Sequence, residues 1–292
     1  MAIFRGAGVA IVTPFSEGKV DYDRLEGLLN WQVSSGIDAV VSCGTTGEAS
    51  TMTDEEQIEV ISYCVDKVKG RVPVIAGAGS NDTKHGVNLS VEAEKAGADA
   101  LLQVTPYYNK ATQKGLIQHY NAIADSVNIP IILYSVQGRT GVNIKPSTVV
   151  ELAKHPNITA IKEASGNISQ CAEIARLVPE DFSIYSGNDD MITPLLALGG
   201  DGVISVLSNI APRQTHEIVQ KFFDGDIAGA ISGQLKAKPM IDALFAEVNP
   251  IPVKAALDIM GRSKMNFRLP LCDPEESTMV LLERELKAYG IL

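Results

Sequence analysis

Residues 157–167, NITAIKEASGN, place a lysine, Lys162, inside a run that otherwise reads as a buried strand. A buried ammonium is costly unless it is paired or loses its charge. A lysine that loses its charge is an amine nucleophile, able to attack a carbonyl and form a Schiff base. Side chains alternate along a strand, so Ala160 and Ala164 share the face of Lys162 while Ile161 takes the other. Small neighbours leave room beside the amine, and enclosure in a low-dielectric site favours its neutral form. The plain alternative is an internal salt bridge, or a strand end bent into solvent. It would win for an arbitrary lysine, since most are solvated. Strand context and the polar residues at neighbouring strand ends shift the balance toward chemistry.

Those residues recur where apolar runs stop. They include Thr13, the segment Gly44-Thr45-Thr46-Gly47-Glu48, Thr105 with Tyr107 and Tyr108, and Tyr134 with Arg139 a little beyond. Further along come Ser186-Gly187-Asn188-Asp189, then Ser205 and Ser208. Tyr134 alone would read as a half-buried aromatic. Thr45 and Thr46 read as N-caps of the next helix, as a carboxylate cradle, or as both. Asn188, Asp189 and Asp190 read as the cap of the helix beginning MITPLLAL, not as a metal cluster. The histidines (His85, His119, His155, His216) show no ligand spacing, and no metal is expected. A pyridoxal-phosphate lysine would want a phosphate-binding glycine cluster, and none is seen, so no cofactor is expected.

The elements that must carry these residues are eight short Val- and Ile-rich runs. They begin at Gly8, Asp38, Val72, Ala100, Pro130, Ile158, Phe182 and Gly202. They do not alternate cleanly, as strands buried on both faces do not. Helical spacing lies between them. In TDEEQIEVISYCVDKVKG, Ile58, Ile61, Val65 and Val68 mark one helix face, Thr53 and Glu56 a capping box, and Gly70 a stop. Alternating strands and helices predict an α/β fold, a (β/α)₈ TIM barrel, whose active site lies at the C-terminal strand ends. An open doubly wound sheet would want G-x-G-x-x-G after its first strand, which is missing. From about Pro212 onward the pattern is helical. The predicted organisation is a barrel carrying the active site over residues 1–225 and a helical extension over 226–292.

The 292 residues are 45% hydrophobic and 21% charged, with a net charge of −10 that forms no long run of one sign. Nucleic acid and anionic membrane are therefore poor partners. The first residues hold too short an apolar stretch for a signal peptide. Cys43, Cys64, Cys171 and Cys272 have neither zinc nor disulfide spacing, and a cytoplasmic location is expected.

Several segments together resemble the dihydrodipicolinate synthases, within the pyruvate-dependent class I aldolases. They are GTTGE (44–48), VTPYYN (104–109), YSVQGRTG (134–141) and IKEASGN (161–167), followed by SGNDD, GVISV, NPIPVK and RLPLC. The resemblance implies a lyase that condenses pyruvate with L-aspartate-4-semialdehyde on the route to diaminopimelate and lysine. It implies Lys162 as the imine-forming residue, and Thr45, Tyr134 and Tyr108 as a proton relay, with Tyr108 reaching in from a neighbouring subunit. It implies substrate binding by Thr46, Arg139, Gly187 and Ile204, and a homotetramer built as a dimer of dimers. One departure is plain: the family pattern near YNVP[SG]RTG has Ser135 for asparagine and Gln137 for proline here, which removes a fixed φ ahead of Arg139.

A sialic-acid or keto-sugar-acid lyase would keep Lys162 and Tyr134 but lack the arginine and the tyrosine pair. An idle binding protein would have lost the lysine or a relay residue. Relatives inhibited by lysine carry a serine, two histidines, an asparagine, a glutamate and a tyrosine where this chain has Ala49, Asp54, Gln57, Asn81, His85 and Tyr107. With His85 at the glutamate position, insensitivity to lysine is expected.

Overall fold

The eight apolar runs are eight parallel strands. In the computed structural model, which describes residues 2–292, they are β1 (Gly6–Ala10), β2 (Ala39–Ser42), β3 (Val74–Gly77) and β4 (Ala100–Val104). β5 (Ile131–Ser135), β6 (Ile158–Glu163), β7 (Ser183–Ser186) and β8 (Gly202–Ser205) follow. Each pairs with its neighbour in sequence, and β8 pairs back onto β1 to close the barrel. An open doubly wound sheet is thereby excluded.

Seven helices return the chain between strands, and an eighth follows β8. They are α1 (Tyr22–Ser34), α2 (Asp54–Val68), α3 (Thr83–Lys95) and α4 (Gln113–Ala124), then α5 (Pro146–Leu152), α6 (Ile168–Leu177), α7 (Ile192–Ala197) and α8 (Pro212–Phe223). The expected capping box at α2 is present: Thr53 Oγ1 accepts from Glu56 N, and Glu56 accepts from Thr53 N. The stop comes one residue before Gly70, because Lys69 already adopts a left-handed φ of 53°. Three more helices follow, α9 (Ile227–Leu244), α10 (Ile251–Ile259) and α11 (Glu276–Tyr289), with α9 packed on α8 and α11 on both α9 and α10. Among the described residues no helix is long and apolar enough to cross a membrane.

The core has two parts, as alternation along barrel strands requires. Ile75, Leu102, Ile132, Ala160 and Ile204 fill the interior, while Leu101, Leu133 and Ile161 face the helices. Phe4, just ahead of β1, stacks on Tyr185 of β7 with ring centroids 4.3 Å apart, and the Tyr185 hydroxyl donates to Phe4 O. Lys162 sits on β6 in register with Tyr134 of β5 and Tyr185 of β7, on the inward face that its alternation with Ile161 predicts.

Candidate active site

Lys162 lies near the C-terminal end of β6, 5% exposed, with its Nζ 4.3 Å from the centroid of the Tyr134 ring. Among the described residues no carboxylate comes within salt-bridge distance of it; the buried lysine that is paired is Lys254. The internal ion pair weighed above is therefore not its environment. Space beside the amine depends on glycine at 187. A Cβ there would come within 2.5 Å of Ala164 Cβ and 3.1 Å of Lys162 Cε. Gly187 N donates to Glu163 O across the β6–β7 edge, which fixes this approach.

Lys162, Tyr134, Thr45, Thr46, Arg139 and Gly187 line one cavity of about 310 Å³ at the strand ends. A second cavity of about 420 Å³ shares Thr45, Tyr134 and Arg139 with it and extends past Tyr107, His85 and Asp54. Six of the eight residues singled out in the sequence thus converge within the chain. Two do not. Ile204 is wholly buried among the inner barrel side chains and lines neither cavity. Tyr108 is 90% exposed, with a left-handed φ of 71°, and also lines neither. Its loop is clasped from below: Asn81 Nδ2 donates to Tyr107 O, and Asn109 Nδ2 donates to Asn81 O.

Thr45 and Thr46 cap no helix. The cap of α2 is Thr53, and the short turn Ala49–Thr51 has no side-chain cap. Thr46 Oγ1 instead accepts a hydrogen bond from Asn249 Nδ2 at 3.0 Å. That leaves the hydroxyl hydrogen free to donate elsewhere. The backbone carbonyl of Asn249 accepts from Arg139 Nη2 at 3.2 Å. One asparagine, from the segment between α9 and α10, therefore bridges two of the expected substrate-binding side chains. Its Oδ1 is buried without a partner. It opens the NPIPVK segment quoted above, but neither helical nor strand spacing there points to a place in the site.

Arg139 is carried on a single helical turn, Gln137–Thr140, closed by Gly141 in a left-handed conformation. Gln137 O accepts from Gly141 N, so the turn forms without proline. Ser135 faces the helices: its hydroxyl donates to Asn143 Oδ1 and accepts from Ile144 N.

The reading of Asn188, Asp189 and Asp190 as a cap for the following helix is corrected. α7 has no side-chain cap. The Asp189 carboxylate accepts from Val206 N and Leu207 N, at 3.0 and 2.9 Å, joining the ends of β7 and β8. Burial pushes its carboxyl above the usual range, opposed by those hydrogen bonds and by Lys162.

Comparison with known proteins agrees over nearly the whole chain. Residues 3–289 match the model of the dihydrodipicolinate synthetase family. The 4-hydroxy-tetrahydrodipicolinate synthase of Acetivibrio thermocellus is 57% identical over 99% of both chains. A chloride-inhibited dihydrodipicolinate synthase from Acinetobacter baumannii, solved with pyruvate, is 43% identical, superposes with a TM-score of 0.97 and covers 99% of both chains. A dihydrodipicolinate synthase variant characterised as monomeric is 44% identical with a TM-score of 0.98, over 99% of this chain and 98% of that one. A lysine in a barrel mouth, ringed by hydroxyls and an arginine, on a chain matched along its length, leads to one assignment: the chain belongs to the dihydrodipicolinate synthetase family.

Proposed function

We propose that this chain is a 4-hydroxy-tetrahydrodipicolinate synthase, a lyase joining pyruvate to L-aspartate-4-semialdehyde through an imine at Lys162. The observation that carries the reading is the unpaired Lys162 amine beside Tyr134, in a cavity that Gly187 keeps open. The amine attacks the keto carbon of pyruvate, a C–N bond forms and water leaves. Loss of a methyl proton turns the imine into an enamine, whose carbon attacks the aldehyde of the second substrate. The amino group of that substrate then attacks the imine carbon and displaces Lys162.

Thr46 offers its free hydroxyl hydrogen to the pyruvate carboxylate, and Arg139 offers a planar fork to the carboxylate of the aldehyde. Thr45 and Tyr134 pass protons. Tyr108, exposed and turned away from its own site, enters the relay from a second copy, within a tetramer assembled as a dimer of dimers. The barrel, residues 1–225, carries the reacting lysine, and residues 226–292 form the extension that supplies Asn249. The compartment we assign is the cytoplasm, in keeping with four unpaired cysteines. Treatment with pyruvate and borohydride should add one pyruvate-derived mass to the peptide holding Lys162. Labelling at another lysine, or at none, refutes the reading.

A further inference from the structure

Three ties join the loop after β2 and the start of α2 to the chain beyond α9. The first is the hydrogen bond from Asn249 to Thr46. The second, five residues on, is an ion pair between Lys254 and Glu48 at 2.5 Å, with both side chains 0% exposed. The third is Arg268, which pairs with Glu56 and donates to Thr51 O. The middle tie is the unusual one. Lys254 Nζ has three acceptors, Glu48 Oε1, Thr13 O and Asn266 O, so every ammonium hydrogen is used. The rings of Phe15 and Phe267 lie 4.6 and 5.0 Å from the same nitrogen.

Glu48 holds a left-handed backbone, φ 57° and ψ 34°, and Cys43 at the other end of the loop has φ 53°. Residues other than glycine adopt this region rarely, and strain of this kind persists only where the surroundings over-determine it. These two residues bracket Gly44-Thr45-Thr46-Gly47. Within the bracket Glu48 N donates to Thr45 O, and Thr13 Oγ1 donates to Gly47 O at 2.7 Å. The Glu48 side chain reaches into an enclosed site where Lys254 is the partner that fixes it.

A wholly buried pair is a weak source of stability, because desolvation offsets its attraction. Burial here pushes the Glu48 carboxyl up and the Lys254 ammonium down, against both charges. What such a pair does supply is geometry. We propose that the Glu48–Lys254 pair is a positioning device that holds Glu48 left-handed and thereby sets where the Thr45 and Thr46 hydroxyls stand beside Lys162. The proposal rests on the pyruvate-imine reading above.

Two variants test it. Glu48→Asp keeps both charges and withdraws the carboxylate by one methylene. The double variant Glu48→Gln with Lys254→Met removes both charges, so neither is left buried alone. Each is compared with the unsubstituted enzyme for thermal unfolding, for the rate of borohydride-trapped imine formation with pyruvate, and for KM toward both substrates. The expected result is a cooperative unfolding transition, imine formation slowed at least tenfold, and less than threefold change in KM for the aldehyde. Native imine rates in either folded variant, or equal losses toward both substrates, overturn the proposal. Absence of a pyruvate adduct at Lys162 in the unsubstituted enzyme removes the underlying reading instead.

Discussion

Asp54 and His85 are joined across the second cavity, with His85 Nε2 2.9 Å from Asp54 Oδ2 and the other ring nitrogen 2.9 Å from Ser80 Oγ. Asp54 is the carboxylate nearest to standing in for the glutamate of lysine-inhibited relatives, and it is already engaged by His85. A ligand ammonium entering there meets an imidazole and an occupied carboxylate. Losing a charged partner in a partly enclosed site weakens binding by about 100-fold. The enzyme should therefore be insensitive to lysine at millimolar concentration. An inhibition curve with a sub-millimolar midpoint would show that Asp54 is free to act.

Arg139→Ala should separate the two substrates. The guanidinium lines the cavity and is steadied by Asn249 O, while the proposed imine forms at Lys162. Loss of a charged hydrogen bond costs about 1.5–3 kcal/mol, or roughly 10- to 150-fold in use of the aldehyde. Trapping of the pyruvate imine should change little. Equal losses at the two steps would contradict the assignment.

Gly187→Ala puts a methyl group where Ala164 Cβ and Lys162 Cε already stand. Overpacking of this kind costs about 1–3 kcal/mol in stability. The sharper consequence is displacement of the amine, so imine trapping should slow at least tenfold. A variant that melts lower but traps pyruvate at the native rate would show that the methyl is absorbed by the β7 loop instead.

His216 and His119 should act oppositely on stability as pH changes. His216 Nδ1 lies 2.8 Å from Asp38 Oδ2, which raises its pKa above the ordinary 6.5 despite partial burial. The folded state then holds a proton that the unfolded chain releases first. This contribution is present in full below about 6.5 and fades as pH rises through the raised value. His119 is pushed below 6.5 by burial, so it is destabilising as pH falls past that point. Melting temperatures between about pH 5 and 9 should fall less on the alkaline side for His216→Gln than for the native chain. On the acid side they should fall less for His119→Gln. Parallel curves for all three proteins would remove both assignments.

Self-association is the remaining expectation. Tyr108 stands 90% exposed on a strained backbone, outside both cavities of its own chain. Sedimentation should show a tetramer, and Tyr108→Phe should lower activity without dispersing it. A fully active monomer at assay concentration would exclude a relay tyrosine from a second copy.

Much of this protein is legible along the chain because the relevant physics is local. Doubly buried strands read as unbroken apolar runs, and seven of the eight barrel strands lie within such runs, while β1 begins two residues ahead of its own at Gly6. Strand alternation turns Lys162 inward and Ile161 outward, and the Thr53–Glu56 box starts α2 by contacts three residues apart. Tertiary structure alone decided which polar groups meet across the barrel mouth. Asn249 reaches Thr46 across 203 residues and Arg139 across 110, and Lys254 reaches Glu48 across 206. No local period encodes such distances. The same closure overruled two local readings. Thr46 gives up a capping role because Asn249 is delivered to it, and Asp189 turns from its own helix to the free amides after β8. A side chain near a helix start serves whichever unsatisfied backbone group the closed barrel brings nearest.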